Sequence, residues 1–331
     1  MPEHNARDAF DAALVGRRSF LTGAIAIAAA QGLEAQASPI PIIDTHIHLF
    51  DTTRPQGVPY PNKDNAKLYQ PALPERYRKI AQPHGVVGAI EIEASPWIED
   101  NLWVLEVAAK DTIMVGTVGD LEPGKPEFPE YLERYHRNPL FRGIRYGNLW
   151  GRDIGVDLNK PEFIEGLKLL AEANLVLDTA NPRPALIEAM VRVTDKVPKL
   201  RIVIDHLPQL DPPTESPARG QYEANLRELA KRPQVYVKVS EVLRRVDGQV
   251  PTDLNFYRPR LDQLWDIFGE DHLVFGSDWP NGDNWAPFET VLSVVREYFN
   301  GKGRAVAEKY FWKNSVAAYQ WIRRDPSQPQ A

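Results

Sequence analysis

The hydrophobic residues of this chain fall into short apolar runs rich in β-branched residues, and many of these runs are separated by amphipathic stretches. Eight runs predict buried strands, at 40–46, 86–92, 113–118, 141–146, 175–178, 200–205, 235–239 and 272–276. Helical patterns lie at 163–173, 184–194, 222–231, 259–268, 288–299 and 304–321. Strands that alternate with helices in this way predict an α/β fold, a (β/α)₈ TIM barrel.

An open, doubly wound sheet is the alternative arrangement of the same elements. No glycine-rich turn follows the first predicted strand, so dinucleotide binding has no support in the sequence. Pro184 and Pro259 begin two predicted helices, in the first turn, where proline is tolerated. Long proline-rich loops follow four strands, at 52–74, 122–139, 208–217 and 279–287. In a barrel such loops surround the C-terminal face, where active sites are built.

The N-terminal segment has the features of an export signal. Arg17 and Arg18 precede an apolar stretch at 23–30, and the Ala-Gln-Ala sequence at 35–37 has the pattern of a cleavage site. This combination is typical of a twin-arginine signal peptide, so we expect residues 1–37 to be removed and the mature protein to be periplasmic. A disordered segment or an amphipathic helix is the alternative. The apolar stretch is too short for a stable membrane span.

The predicted barrel is a single domain at 38–325, and residues 326–331 are expected to form a disordered tail. The formal net charge is −6 and no basic run stands out, which argues against nucleic acid as a partner. The chain has no cysteine, which excludes disulfides, thiolate zinc sites and cysteine nucleophiles. The sequence gives no indication of the oligomeric state.

Ionisable side chains stand at the C-terminal ends of most of the predicted strands. They are His46, His48, Glu91, Glu93, Arg145, Asp178, Asp205, His206, Lys238 and Asp278. In a barrel these ends converge on one mouth. The i, i+2 spacing of His46 and His48 places both rings on one side of a strand, together with Asp44. Two such imidazoles can hold one metal ion or one water molecule.

Five sequence motifs resemble the amidohydrolase superfamily, in particular its amidohydrolase-related branch of sugar lactonases and pyrone-dicarboxylate lactonases. They are IDTHIHLFD at 43–51, GIRY at 143–146, VIDHL at 203–207, VYVKVS at 235–240 and FGSDWP at 275–280. The resemblance covers nearly the whole chain after the signal segment. It implies a (β/α)₈ barrel that hydrolyses a substrate at a carbonyl centre.

Matched position by position, the resemblance implies catalytic roles for Asp278, His46 and His48. Arg145 and Lys238 match positions that face the substrate in the lactonases. Glu93 and Trp279 are further candidates for substrate binding. For Arg145 and Lys238, a structural ion pair with one of the acidic residues at the strand ends is the alternative role.

The resemblance also implies a site for one divalent metal ion, with zinc as the expected metal. Its ligands would be His46, His48, His206 and Asp278, a donor set that suits zinc with an open water position. Strand five ends without a histidine and strand four offers Arg145 in place of a bridging lysine, so a two-metal centre is not expected. Some lactonases of this branch are thought to work without a metal, so the alternative of no metal stays open.

The expected activity is hydrolysis of a lactone or a related cyclic ester. Lactone opening needs a nucleophilic water, polarisation of the carbonyl and a proton for the leaving oxygen, and Asp278 is the best-placed base. A lactone isomerase or a decarboxylase on the same scaffold is one alternative. A non-catalytic carbohydrate-binding barrel is the second, because four tryptophans could stack on sugar rings, namely Trp97, Trp150, Trp279 and Trp285.

The expected substrate is a small molecule that is either anionic or polyhydroxylated. This expectation rests on the cationic residues near the strand ends and in the following loops, which are Arg145, Arg152, Lys238, Arg244 and Arg245.

Overall fold

A computed structural model describes residues 38–330 of the chain. The predicted signal peptide at 1–37 lies outside the described residues. Among the residues that are described, no helix is both long enough and apolar enough to cross a membrane.

Eight parallel strands form one sheet in which each strand pairs with the next along the chain. They are β1 (Ile42–Ile47), β2 (Val86–Ile92), β3 (Met114–Gly119), β4 (Phe141–Arg145), β5 (Val176–Asp178), β6 (Arg201–Ile204), β7 (Val235–Val239) and β8 (Leu273–Phe275). Each coincides with a predicted strand to within two residues at either end. Their apolar, β-branched composition suits strands that are covered on both faces.

Backbone hydrogen bonds between β1 and the segment after β8 bring the two ends of the sheet together. The amide of Asp278 donates to the carbonyl oxygen of His46, and the amide of His48 donates to that of Trp279, both over 2.8 Å. The sheet is therefore a nearly closed barrel with the topology of a TIM barrel. All three predicted catalytic residues, His46, His48 and Asp278, take part in the hydrogen bonds of this closing seam.

Helices follow the strands and cover the outside of the barrel. They are α1 (Pro74–Ala81), α2 (Asp100–Ala109), α3 (Phe128–His136), α4 (Ile154–Asp157), α5 (Pro161–Glu172), α6 (Pro184–Lys196), α7 (Ser216–Ala230), α8 (Leu254–Phe268), α9 (Phe288–Gly301), α10 (Arg304–Glu308) and α11 (Asn314–Tyr319). A π-helical turn, Lys309–Lys313, joins the last two. Alternation of helices with parallel strands, predicted from the sequence, is confirmed.

Two details of the helix prediction were wrong. The loop predicted at 122–139 contains α3, whose amphipathic pattern is only nine residues long. Pro259 lies inside α8 and not in its first turn, because the helix begins earlier, at Leu254, where the side chain of Asp253 accepts a hydrogen bond from the amide of Asn255.

The C-terminal segment packs against the barrel. Tyr319 and Trp321 belong to the same buried apolar cluster as Ile43, Val203 and Val274 from the strands. Burying these side chains together removes a large apolar area from water and stabilises the barrel.

Residues 326–330 differ from the predicted disordered tail. The side-chain amide of Gln328 is buried and donates to the carbonyl oxygens of Val87, over 3.0 Å, and Thr112, over 2.7 Å. These hydrogen bonds satisfy carbonyl groups at the starts of β2 and β3, which gives this polar segment a fixed place that its composition does not indicate.

Candidate active site

A pocket of about 210 Å³ opens at the mouth formed by the C-terminal ends of the strands. Its lining residues are His48, Tyr60, Glu93, Ala94, Arg145, Leu149, Trp150, Asn181, His206, Gln209, Glu241, Asp278 and Asn281. Five of the predicted site residues are among them, namely His48, Glu93, Arg145, His206 and Asp278. The predicted convergence of the strand ends on one mouth is therefore present.

Three imidazoles converge on one carboxylate oxygen of Asp278. The Nε2 atom of His48 lies 3.1 Å from Asp278 Oδ1, that of His46 lies 3.4 Å from it, and that of His206 lies 3.9 Å from it. The other oxygen of Asp278, Oδ2, is buried and has no hydrogen-bond partner among the described residues. The four predicted metal ligands thus lie around a single point at the floor of the pocket.

The position of Asp278 depends on the close approach of β1 to the segment after β8. A Cβ atom at Gly276 would lie 2.8 Å from the Cβ of His46, so only glycine fits there. Asp44 stabilises the same contact between β1 and the segment after β8. Its carboxylate accepts hydrogen bonds from the amide of Ser277, over 2.8 Å, and from the hydroxyl of Tyr77, over 2.7 Å.

Strict alternation along β1 predicts that Asp44 and His48 face the same pocket. The structure differs, because Asp44 binds across the seam and does not line the pocket. The pairing register of β1 with β2 shifts between Asp44 and Ile47, and such an irregularity breaks the alternation of side chains.

The tautomer of His48 is set by its environment. Its Nδ1 atom lies 2.8 Å from the carbonyl oxygen of Ile92, which can only accept, so Nδ1 carries the hydrogen. In the neutral ring the lone pair is then on Nε2, facing a carboxylate oxygen of Asp278. Two acceptors in contact require a proton or a cation between them.

Lys238 lies below this point and forms the centre of an inner ion cluster, which we define as Asp178, Asp205 and Lys238. Its Nζ atom lies 2.6 Å from Asp178 Oδ2, 2.9 Å from Asp205 Oδ1 and 3.2 Å from the Nδ1 atom of His46. All three charged residues are fully buried. Lys238 does not line the pocket, and its buried ion pairs favour the structural role over the predicted contact with the substrate.

The contact with Lys238 also constrains His46. An ammonium group can only donate, so Nδ1 of the neutral ring carries the lone pair and Nε2 carries the hydrogen that faces Asp278. His46 can bind a metal through Nε2 only if it gives up this contact. In the arrangement seen here its Nε2–H lies 3.4 Å from Asp278 without forming a hydrogen bond.

Arg145 lies at the pocket wall and is almost fully paired. Its Nε atom donates to the carbonyl oxygen of Thr179, over 3.1 Å, and lies 3.4 Å from Asp205 Oδ2. Its Nη1 atom lies 3.9 Å from a carboxylate oxygen of Glu93. The indole N–H of Trp150 donates to Glu93, over 3.1 Å. Glu93 and Arg145 thus lie where the sequence predicts them, but they bind each other.

Glu241 is a site residue that the sequence analysis missed. It follows the end of β7 by two residues, and its carboxyl group lies against that of Asp278 and 3.9 Å from the Nδ1 atom of His206. Ser240, between Glu241 and the strand, lies 2.8 Å from the same Nδ1 atom. The available signal was an acidic residue directly after a motif that had already been recognised.

Five residues of the pocket have a left-handed backbone conformation. Their φ angles are 58° for Trp150, 57° for Asn181, 52° for His206, 48° for Glu241 and 58° for Asp278. Only three other non-glycine residues in the described part of the chain have a positive φ. Asn, Asp and His tolerate this region best, whereas Trp and Glu pay a conformational cost. Backbone strain is thus concentrated at the mouth of the barrel, as is common at functional sites.

Burial dominates the electrostatics of the pocket. It raises the pKa of Asp278 to about 7, against the lowering effect of contacts with Glu241 and Arg145. Burial also raises the pKa of Glu93 to about 8 and lowers the pKa of His48 to about 4. A carboxyl group that titrates near neutral pH can both take a proton from water and return it to a leaving group.

Trp279 does not line the pocket, which favours a structural role over its predicted role in substrate binding. Its side chain is 1% exposed, belongs to the main apolar core, and packs against the ring of Tyr77 at 5.2 Å between centroids. The seam between β1 and the segment after β8 turns the indole outward from the mouth. Of the four tryptophans considered for sugar stacking, only Trp150 lines the pocket.

The donor atoms at the pocket floor fit a divalent metal. Three overlapping groups each bring their donor atoms within 4.8 Å of one another: His46, His48 and Asp278; His46, Asp205 and His206; and His206, Glu241 and Asp278. Imidazole nitrogen and carboxylate oxygen are donors that zinc accepts. The unpartnered Oδ2 atom of Asp278 and the facing acceptors of His48 and Asp278 are consistent with a bound cation.

Comparison with known proteins gives a consistent result. The chain is 28% identical over 240 residues to an L-fucono-1,5-lactonase of Burkholderia ambifaria, covering 72% of this chain and 80% of the relative.

The solved structures that match include an amidohydrolase of Burkholderia multivorans with bound zinc, at a TM-score of 0.75 and 22% identity, covering 85% of this chain and all of the other. A second is a probable 2-pyrone-4,6-dicarboxylic acid hydrolase of Acinetobacter baumannii, at a TM-score of 0.66 and 18% identity, covering 84% and 99%. The family model for amidohydrolases matches residues 43–321, nearly the whole of the barrel. The chain belongs to the amidohydrolase family.

Proposed function

We propose that the protein is a hydrolase that opens a neutral, polyhydroxylated lactone. The observation that carries this proposal is the convergence of three imidazoles on one oxygen of a buried aspartate, Asp278, at the floor of a small pocket. A pocket of about 210 Å³ has room for a single substituted ring. The similarity to the L-fucono-1,5-lactonase of Burkholderia ambifaria supports the same reaction class.

The catalytic roles follow from position and protonation. Asp278 is the general base that takes a proton from the attacking water and returns it to the ring oxygen as the ester bond breaks. His48, whose Nδ1 hydrogen is held by Ile92, presents its Nε2 lone pair to the proton that Asp278 takes up. Arg145, the only cationic side chain among the described residues that line the pocket, faces the position where negative charge develops on the carbonyl oxygen.

We propose zinc as the metal of this site. Asp278 would hold it together with imidazoles that converge on it, and His46 would be a ligand only if its contact with Lys238 is released. A bound zinc ion would lower the pKa of its water to about 7 and polarise a carbonyl group. The protein residues would still bind the substrate, exclude bulk water and move the proton.

The charges of the pocket favour a neutral substrate over an anionic one. Arg145 is already paired with Asp205 and Glu93. The other arginines that suggested an anionic substrate lie outside the pocket lining, and two of them have their own partners, since Arg152 pairs with Asp120 and Arg244 pairs with Asp211.

The pocket instead offers groups that bind hydroxyls. These are the carboxylates of Glu93 and Glu241, the amides of Asn181, Gln209 and Asn281, and the hydroxyl of Tyr60. Several neutral hydrogen-bonding groups around one aromatic face suit a sugar ring.

The test is a comparison of two substrate panels with purified protein. Neutral aldonolactones form one panel, and lactones that carry one or two carboxylates form the other. We expect hydrolysis of members of the neutral panel, seen as release of one acid equivalent and a mass gain of one water. A product of unchanged mass would indicate an isomerase, and release of carbon dioxide would indicate a decarboxylase. Turnover of only the carboxylated lactones would refute the proposed substrate class.

We also propose that residues 1–37 direct export to the periplasm and are then removed. The arginine pair, the apolar stretch and the cleavage-site pattern support this. Intact-mass measurement of periplasmic protein is expected to give a chain that begins near Ser38, and replacement of both Arg17 and Arg18 by lysine is expected to abolish export. Full-length protein confined to the cytoplasm would contradict the proposal.

A further inference from the structure

Glu241 has a structural position that the proposed reaction does not explain. It belongs to a group of three side chains, with His206 and Asp278, whose donor atoms lie within 4.8 Å of one another. We call this group the second triad. It shares only Asp278 with the group formed by His46, His48 and Asp278.

The charge of Glu241 is not balanced by a basic side chain. Among the described residues, its nearest ion-pair partner is His206, at 3.9 Å, and no lysine or arginine comes as close. Its carboxyl group instead lies against the carboxyl group of Asp278. Two carboxylates in contact repel each other unless a proton or a cation lies between them.

A second, independent observation indicates a missing partner at this point. The Oδ2 atom of Asp278 is buried and has no hydrogen-bond donor among the described residues. Asp278 is 1% exposed, so water from the bulk does not satisfy this atom. A buried carboxylate oxygen without a donor costs free energy, which a bound cation would recover.

All three members of the second triad have a strained backbone. His206, Glu241 and Asp278 follow β6, β7 and β8, and each has a left-handed φ angle. Of the three, glutamate is the residue type least suited to this conformation. Glycine would adopt it at no cost, so the retention of a glutamate at 241 indicates that its side chain has a use.

The second triad is free of the tautomer constraint that applies to His46. In the other group, the Nε2 atom of His46 carries a hydrogen as long as Lys238 donates to Nδ1. His206 contacts a serine hydroxyl, Ser240, which can accept from or donate to its ring, so either nitrogen is free to carry the lone pair.

We propose that Glu241 is a metal ligand and that the second triad, His206, Glu241 and Asp278, is the principal seat of the divalent ion. This inference rests on the metal-containing form of the proposed function. Two carboxylate oxygens and one imidazole nitrogen form a site that is harder, in its ligand chemistry, than one made of two imidazoles and one carboxylate.

The test measures zinc binding separately from activity. Full-length protein is stripped with a chelator and titrated with zinc against a competing fluorescent chelator. We expect the wild-type protein to bind one equivalent, and Glu241→Gln to weaken binding at least tenfold, because the amide keeps the shape and loses the charge. Glu93→Gln is the matched control: the same change in the same pocket, outside the triad, is expected to alter the affinity less than threefold.

A second variant, Glu241→Gly, controls for misfolding. It also distinguishes a metal-binding role of Glu241 from a structural role. Glu241→Gly removes the ligand and relieves the left-handed strain, so we expect the metal-free protein to melt about 2 °C higher or more while zinc binds at least tenfold more weakly. With cobalt in place of zinc, the visible absorption spectrum is expected to change in Glu241→Gln but not in Glu93→Gln.

Two results would overturn this inference. One is zinc binding in both Glu241 variants with wild-type affinity and an unchanged cobalt spectrum. The other is a wild-type protein that binds no divalent ion. In either case lactone hydrolysis, measured with the substrate panels, decides the proposed function independently, since active protein without this metal site would refute only the role of Glu241.

Discussion

Two groups of charged residues lie one above the other in this barrel, and they are built differently. In the inner ion cluster, Lys238 is surrounded by Asp178 and Asp205, and opposite charges lie within 2.9 Å. In the pocket cluster, which we define as His48, His206, Glu241 and Asp278, acceptors face one another without a cation among the described residues. The inner group balances its charges with a lysine, whereas the upper group needs a proton or a cation between its acceptors.

The backbone differs in the same way. Lys238 and Asp178 belong to regular strands, whereas His206, Glu241 and Asp278 come after their strands, in left-handed conformations. Residues of a regular strand point where the pleat dictates, and their charges must be neutralised within the barrel. Residues just beyond the strand can be turned toward the mouth. A difference of one to three positions along the chain thus separates structural charges from chemically active ones.

The strongest test of this contrast is Asp278→Asn. The amide keeps the shape of the side chain but cannot act as a base, so we expect kcat to fall by roughly 10²–10⁴. The melting temperature should change little, since no lysine or arginine among the described residues forms an ion pair with this carboxylate. Steady-state kinetics and thermal unfolding of the same preparation measure both. A variant that keeps more than about a tenth of the wild-type kcat would show that the base is a different residue.

The inner ion cluster gives the opposite expectation for Lys238→Met. Removing the ammonium leaves Asp178 and Asp205 buried without a counter-charge, so we expect a loss of about 3–5 kcal/mol in the free energy of unfolding. KM is expected to stay within about threefold of the wild-type value for the protein that remains folded. Denaturant unfolding and kinetics at low temperature test this. A large rise in KM with unchanged stability would mean that Lys238 binds the substrate after all.

Glu93 tests the pH dependence of the upper region. Burial raises its pKa from 4.5 to about 8, so the folded state binds a proton that the unfolded state releases between these values. The contribution of Glu93 to the free energy of unfolding is therefore fully present below pH 4.5 and is lost as the pH rises toward 8. Glu93→Gln stays neutral, and we expect it to be more stable than the wild type at pH 9 by about 1–3 kcal/mol, with little difference at pH 4. Melting curves across this range measure the effect, and a difference that does not depend on pH would contradict it.

The smallest effects are expected for substitutions of two tryptophans near the mouth, Trp150 and Trp279, which should affect different properties. Trp279 lies in the core, so Trp279→Phe is expected to lower stability by about 1 kcal/mol and leave KM unchanged. Trp150 lines the pocket, so Trp150→Phe is expected to raise KM with little effect on stability, because Glu93 loses its indole donor. Paired measurements of KM and melting temperature check both variants. A rise in KM for Trp279→Phe alone would reverse the assignment.

Much of the fold could be predicted because its signals are local. The parallel strands are covered on both faces, so each is a continuous apolar run, and β2 and β7 begin and end at the predicted residues. Helix α3 was missed because its apolar residues are few and lie among prolines and charges. The start of α8 is predicted too late because Pro259 has the pattern of a first-turn proline. The helix begins upstream of it, after the N-cap residue Asp253.

The site could be predicted only in part, because the sequence gives the strand ends but not the direction of each side chain. His48, His206 and Asp278 were found from motifs. Trp279 was misplaced because the side chain after a strand can turn either way, and here hydrogen bonds across the seam with β1 turn it outward. Glu241 lies one residue beyond the VYVKVS motif, and it was missed because the sequence does not show that the chain adopts a left-handed conformation there.

The five left-handed residues around the mouth limit how this enzyme can acquire new substrates. At Trp150, Asn181, His206, Glu241 and Asp278, a β-branched replacement would add backbone strain to any change in recognition, so few of the possible mutations leave a folded protein. Gln209 and Asn281 line the same pocket from short 3₁₀ turns with ordinary backbone angles. Divergence of specificity among descendants of this chain, and laboratory selection for it, should therefore proceed through these two positions first.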